Sequence, residues 1–238
     1  MVNKVARYIL NRIIQDTSAT FCLQLVPQKG DVFEYKPGQF SMVHLFKDDG
    51  VTTWQKKAYS MSSEPLNREY LEFGIKIHGG FTQKMATLKE KDVVGVEGPY
   101  GIFTYDADRH TDVVMFAGGI GITPFISMIR FATEQKLQNK ILLYYFNQTE
   151  GDISFKAILD DVVLKNSNLT VVYSVDNALN RTWSGEVGLI TEDRVLSRVR
   201  NFSNKYFFMC GPMPFMKAAA LILQANDVSQ SYIKKEVF

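Results

Sequence analysis

Four short stretches of this chain combine residue types that do chemistry together. Gly118-Gly119-Ile120-Gly121-Ile122-Thr123-Pro124 leaves an apolar run and enters a helical pattern. Positions without side chains let a diphosphate approach backbone amides, Thr123 is placed to cap the helix, and Pro124 suits its first turn. A glycine-rich tight turn with no ligand is the plain alternative; the place of this turn after the first strand of its half argues for a dinucleotide. Cys210-Gly211-Pro212 stands where a later strand gives way to a helix, which puts the thiol at the ligand edge of a sheet. A helix amino terminus there tends to lower a thiol pKa, against the commoner fate of a lone cysteine, inert burial. Lys57-Ala58-Tyr59-Ser60 brings a cation, a ring and a hydroxyl to bear on a phosphate, a flat ring and a ring nitrogen. Strand alternation separates Lys57 and Tyr59 from Ala58 and Ser60, so the run must pass along a ligand rather than under it. An exposed strand with ordinary Lys and Ser is its bland counterpart. Gly79-Gly80-Phe81-Thr82 opens a helical stretch.

The chain that must position these residues has 238 of them, 46% hydrophobic and 22% charged, enough to bury an ample core. A net charge of +2, from 27 basic and 25 acidic residues, gives no reason to expect nucleic acid or an anionic membrane as partner. No window approaches the roughly 18 apolar residues of a membrane span, and no membrane insertion is expected. Two cysteines, Cys22 and Cys210, are too few for a disulfide framework or a thiolate-held iron-sulfur cluster, and they point to a reducing compartment, the cytoplasm. His44, His78 and His110 stand alone, without the spacing of a metal site, so no metal is expected.

Two textures divide the chain. Short strand-like runs at 8–14, 20–26, 39–45, 71–77 and 93–97, separated by turn residues, predict an antiparallel barrel interrupted by a helix over 82–88. After a polar stretch the rhythm changes to strands at 113–117, 141–146, 169–175, 206–210 and 233–237, alternating with helical patterns at 124–135, 155–164, 191–199 and 214–225. That is the signature of a doubly wound parallel α/β sheet, which binds nucleotides at the carboxyl ends of its strands. The expected domains are 1–108 and 109–238.

The order of motifs is more specific than any one of them. Pro37-Gly38-Gln39-Phe40, the Lys57-x-Tyr59-Ser60 run, Gly79-Gly80-Phe81-Thr82, Gly98-Pro99-Tyr100-Gly101, the turn at Gly118, Cys210-Gly211-Pro212 and the ending Glu236-Val237-Phe238 follow one another along nearly the whole chain. This resembles the ferredoxin-NADP reductase superfamily. The resemblance implies an FAD-binding barrel followed by an NAD(P)-binding domain, with Tyr59 on the isoalloxazine, Ser60 near flavin N5, and Lys57 and Thr82 on the diphosphate. Lys57 stands where the family usually has arginine, which keeps the charge and loses the planar fork. Gly119, Gly121, Thr123 and Pro124 match the nucleotide turn, Cys210 with Gly211 and Pro212 the nicotinamide side, and Glu236 and Phe238 a terminal acid and aromatic near the flavin.

The expected activity is hydride transfer from NADH or NADPH to FAD, with Ser60, Cys210 and Glu236 around the contact and electrons leaving for a separate protein or small-molecule acceptor. The chain stops at Phe238 with no iron-sulfur or haem domain attached, so it is expected to work as a stand-alone flavin module. NADH is favoured, because Ser174 is followed by Val175 and Asp176 where NADPH-using relatives often carry a Ser-Arg pair, and an acid repels the 2′-phosphate. Arg181 argues the other way. The alternative is a non-catalytic electron-transfer or regulatory subunit that binds flavin within a larger complex. An ordinary nicotinamide dehydrogenase lacks its catalytic histidine or Tyr-x-x-x-Lys pair here. Neither the acceptor nor the oligomeric state can be read from these residues.

Overall fold

The computed structural model describes residues 4–237. Its first half is a six-stranded antiparallel sheet of β1 (Ala6–Gln15), β2 (Thr20–Pro27), β3 (Phe40–Phe46), β4 (Thr53–Ser60), β5 (Leu71–Lys76) and β6 (Val93–Tyr100), in the order β4-β3-β6-β1-β2-β5. Inward residues such as Tyr8, Leu10, Phe21, Leu23, Phe73 and Val94 form one core, closed by Phe81 and Met85 of the short helix α1 (Gly80–Ala86). The strand that the hydrophobic pattern misses is β4. It is exposed from Thr53 to Ala58, because it lies at the sheet edge with only β3 as ladder partner. An edge strand offers both faces and its rim to a ligand, which removes the conflict that alternation posed for Lys57-Ala58-Tyr59-Ser60.

The second half is a six-stranded parallel sheet in the order β10-β9-β8-β7-β11-β12. Its strands are β7 (Asp112–Gly118), β8 (Lys140–Asn147), β9 (Leu169–Val175), β10 (Glu186–Val187), β11 (Tyr206–Cys210) and β12 (Ile233–Glu236). The two-residue β10 adds an edge to the five strands expected. β7 and β11 are buried along nearly their whole length, as central parallel strands covered on both faces must be. One face packs on α2 (Thr123–Glu134) and α3 (Lys156–Lys165), the other on α4 (Glu192–Arg198) and α5 (Met213–Ala225). The order reverses between β7 and β11, which places the sheet's ligand crevice beside the Gly118 turn.

Polar contacts join the two halves. Ser127 of α2 donates to the Ser63 carbonyl at 2.8 Å, Arg130 donates to Glu72 at 2.6 Å and to the Ser62 carbonyl at 2.8 Å, and the Asp16 carboxylate accepts from the Phe155 amide at 2.9 Å. Gly74 of β5 lies where the halves touch; a Cβ there would stand 2.6 Å from the Phe155 ring and 2.9 Å from Thr123 Cγ2.

Candidate functional site

Between the sheets lies a cavity of about 580 Å³. The antiparallel half contributes Ala58, Tyr59, Ser60, Gly74, Lys76 and His78; the parallel half contributes the turn from Gly118 to Thr123 with Gly211 and Pro212. A second cavity of about 410 Å³ shares Lys76, Gly118, Gly119 and Pro212 with it and runs over the ends of β8 and β9 past Phe146, Asn147 and Asp176. A third, about 620 Å³, opens past Phe40, Lys57, Tyr59, His78 and Glu236. Three of the four chemistry-bearing stretches therefore meet around one edge strand and one turn, and the fourth, Gly79-Gly80-Phe81-Thr82, adjoins the strand where Phe81 stacks with Tyr59.

The turn is shaped by close approach. A Cβ on Gly121 would stand 2.4 Å from the Cys210 carbonyl oxygen and 2.8 Å from Gly211 Cα, so the β7 and β11 ends touch only because both positions lack side chains. Gly119 adopts φ +52° with nothing within 4 Å of its Cβ position, leaving its surface open to a ligand. Residues 119–122 form a 3₁₀ turn that runs directly into α2, with Pro124 in the first helical turn. Thr123 is not a cap: it is already helical, and its hydroxyl donates back to the Ile120 carbonyl at 3.1 Å. The continuous helical path leaves no extended residue for a cap to occupy.

Around β4, the Ser60 hydroxyl donates to Glu236 Oε2 at 3.4 Å, and burial pushes the Glu236 carboxyl up to about 7. Tyr59 and Trp54 both stack on Phe81, and Lys57 Nζ lies 5.7 Å above the same ring. The Thr82 hydroxyl closes its own turn, accepting from the His78 amide at 2.6 Å and donating to the Gly79 carbonyl at 3.1 Å. What α1 offers outward is thus its first amides rather than this hydroxyl. Gly79 and Gly80 have nothing within 4 Å of their Cβ positions, so that approach is open.

Cys210 sits in register with Glu236 on β12 and with Ala117 on β7. Of the two tendencies weighed for the thiol, burial prevails: Cys210 is 0% exposed, and desolvation, aided by the Glu236 carboxylate, pushes the thiol well up. Desolvation outweighs the helix terminus beside it. Phe238 lies outside the described residues. Lys76, His78, Gly74 and Asn147 reach the cavities although nothing in the local sequence marks them; antiparallel pairing of β5 and the carboxyl end of β8 carry them there. Among the described residues no group of three or more His, Cys, Asp or Glu is placed to hold a metal ion, and no helix is long and apolar enough to cross a membrane.

Residues 9–105 match the oxidoreductase FAD-binding domain family and residues 115–220 the oxidoreductase NAD-binding domain family. The chain belongs to the ferredoxin-NADP reductase superfamily. This superfamily member is 32% identical over 193 residues to an NADH-cytochrome b5 reductase-like protein of Arabidopsis thaliana, a match covering 79% of this chain and 58% of that protein. It is 26% identical to the glycine betaine monooxygenase reductase subunit of Chromohalobacter salexigens, over 95% of this chain and 62% of that one. The chain thus spans about three-fifths of the length of these curated relatives. In fold it matches the cytochrome b5 reductase domain of Ulva prolifera nitrate reductase with a TM-score of 0.86 at 21% identity, over 98% of this chain and 97% of that one. The geometry of the superfamily member fits FAD. The exposed rim of β4 with Tyr59 offers a planar group a platform, the open glycines before α1 expose amides to a diphosphate, and Ser60 with Glu236 supplies polar atoms beside them.

Proposed function

We propose that this chain oxidises a reduced nicotinamide dinucleotide at bound FAD and passes the electrons to a separate acceptor. The observation that carries this reading is the single cavity in which Tyr59 and Ser60 of β4 face the Gly119 turn and Gly211-Pro212. Held there, FAD would supply hydride acceptance from the donor and one- or two-electron release. The Tyr59 ring serves as its platform, and Lys57 with the amides from Gly79 through Thr82, Phe81 among them, holds its diphosphate. Ala58 lines both sides of the rim. Ser60 orients its hydroxyl toward the reacting edge and donates to Glu236, whose carboxyl, raised by burial to about 7, is suited to hold a proton beside that edge. Cys210 acts from behind the cavity wall by fixing the Gly211-Pro212 surface against Gly121. Gly119, Gly121, Thr123, Pro124, Gly211, Pro212 and Asp176 bind the donor, with NADH preferred because Asp176 lines the donor cavity. Relatives named as NADH-cytochrome b5 reductases support that preference.

We divide the chain into domains at 108/109, a reading supported by family matches that end at 105 and resume at 115. Two buried, unpaired cysteines support a reducing compartment, and we assign the cytoplasm. The test of function is anaerobic stopped-flow reduction of the FAD-loaded chain by NADH and by NADPH. Flavin reduction by both, with kcat/KM at least about tenfold higher for NADH, is expected. A chain that takes up FAD and is reduced by neither is a non-catalytic subunit, and the proposal falls.

A further inference from the structure

Asn147 closes β8 at 6% exposure, and neither its Oδ1 nor its Nδ2 has a hydrogen-bond partner among the described residues. Its neighbours are engaged elsewhere. The Tyr145 hydroxyl gives its proton to the Gly119 carbonyl at 3.0 Å; its oxygen, near the carboxamide, can accept at most one Nδ2 hydrogen and donates nothing to Oδ1. Asp152 accepts from the Thr149 amide and hydroxyl, and the Asp176 amide donates to the backbone carbonyl of Asn147, not to its side chain. A carboxamide carries two donors and an acceptor oxygen with two lone pairs, and burying them unmet is a cost that a folded chain rarely bears without a ligand or water to relieve it.

Asn147 lines the 410 Å³ cavity, and that cavity has a polarity along its length. Lys76 stands where it joins the flavin-side chamber; the carboxylates Asp152 and Asp176 stand beyond, over the strand ends. A diphosphate suits the cationic end and is repelled at the acidic one, because phosphate oxygens only accept and carry charge. An uncharged vicinal diol both donates and accepts, which matches a carboxamide beside a carboxylate on both counts.

We propose that Asn147 binds a ribose diol of the nicotinamide dinucleotide donor, accepting from one hydroxyl at Oδ1 and donating to the other from Nδ2. This deepens, and rests on, the donor reading given above. It assigns Asn147 a cost in the free protein that donor binding relieves, and that coupling separates it from a residue kept for packing.

The test compares Asn147→Leu and Asn147→Asp with the parent, all FAD-loaded, by calorimetric titration with NAD⁺ and with ADP-ribose and by thermal melting without donor. The leucine keeps the volume and removes the unmet amide. Its expected melting temperature equals or exceeds that of the parent, its FAD content per chain is unchanged, and both ligands bind roughly ten- to a hundredfold more weakly, as for one or two lost hydrogen bonds. The aspartate keeps the shape and removes the donor, so both ligands should weaken there too, and it carries the test should the leucine variant not fold. Affinities within about twofold of the parent in a folded variant overturn the proposal. So does a loss confined to NAD⁺, because ADP-ribose retains the ribose and lacks the nicotinamide ring. A parent that binds FAD but neither ligand sinks the donor reading itself, a result distinct from a parent that binds both and a variant that matches it.

Discussion

Burial raises the Glu236 carboxyl to about 7 while the Ser60 hydroxyl, 3.4 Å away, pulls it down. Between the ordinary carboxylate value and 7 the folded chain therefore holds a proton that the unfolded chain has shed. Folding stability falls as pH rises through that window, and the full cost is present above 7. Glu236→Gln should stabilise the apoprotein by about 1–2 kcal/mol at pH 8, after allowance for a half-buried group, and leave it unchanged at pH 4. Urea denaturation at the two pH values checks the sign, and the donor-reduction rate of the loaded variant should lose its inflection near neutrality. Cys210 gives the complementary case. On β11, Phe208 and Cys210 point to the side of α2 and α3, and Phe207 and Met209 to the other. The strand's end was legible in Cys210-Gly211-Pro212, but not which layer the thiol enters, since central parallel strands are apolar on both faces. Cys210→Ala should keep FAD, lose about 1 kcal/mol of stability and slow reduction by NADH. Unchanged stopped-flow rates would make it a core residue and nothing more.

At the scale of elements, what the chain encodes most clearly is the strand-turn-helix at Gly118, and what it hides is the contact that explains its glycines. Gly121 matches a nucleotide turn by spacing; its need to be glycine comes from Cys210 and Gly211, some ninety residues on and adjacent only through the β7–β11 pairing. Gly121→Ala should cost about 1–3 kcal/mol as two strand ends are forced apart. Because that displacement acts on the donor surface, NADH affinity should fall while the flavin spectrum, set by the other sheet, stays as it is. A melting curve and donor titration on one preparation decide it, and equal loss of FAD would assign the glycine to the whole interface. β4 was hidden for the opposite reason. From Thr53 to Ala58 every residue is exposed, Trp54 being partly covered by Phe81, so no hydrophobic alternation announces the strand, and it is held by its ladder to β3. An element built to be covered by a ligand lacks the pattern by which strands are recognised.

The whole molecule depends on keeping the two sheets at a fixed separation, and Arg130 with Glu72 is the ionic part of that junction. Glu72 is 3% exposed on β5, where its carboxylate also accepts from Ser62 Oγ at 3.0 Å and Gln24 Nε2 at 3.1 Å; Arg130 reaches it from α2 in the other half. Neither residue announces this pairing, which joins positions far apart in sequence and on different domains. Removing the guanidinium alone strands a buried carboxylate, so Arg130→Met should destabilise the chain by about 3–5 kcal/mol. Neutralising the partner as well should return much of the loss, because Glu72→Gln removes the buried charge and keeps one acceptor oxygen for Ser62, while its new amide donor meets the Gln24 carboxamide once that group turns over. The functional consequence follows from where the pair acts. Arg130 and Ser127 grip the carbonyls of Ser62 and Ser63, which directly continue β4 beyond Ser60, so a loosened junction moves the β4 rim against the Gly119 turn. Reduction by saturating NADH should therefore slow in Arg130→Met by more than FAD binding weakens, since reacting distance is more sensitive than ground-state affinity to displacements of this kind. The double variant should recover stability further than rate, because charge balance is restored and the grip on the Ser62 carbonyl is not. Parallel recovery of both would show that the pair stabilises the fold without setting the separation.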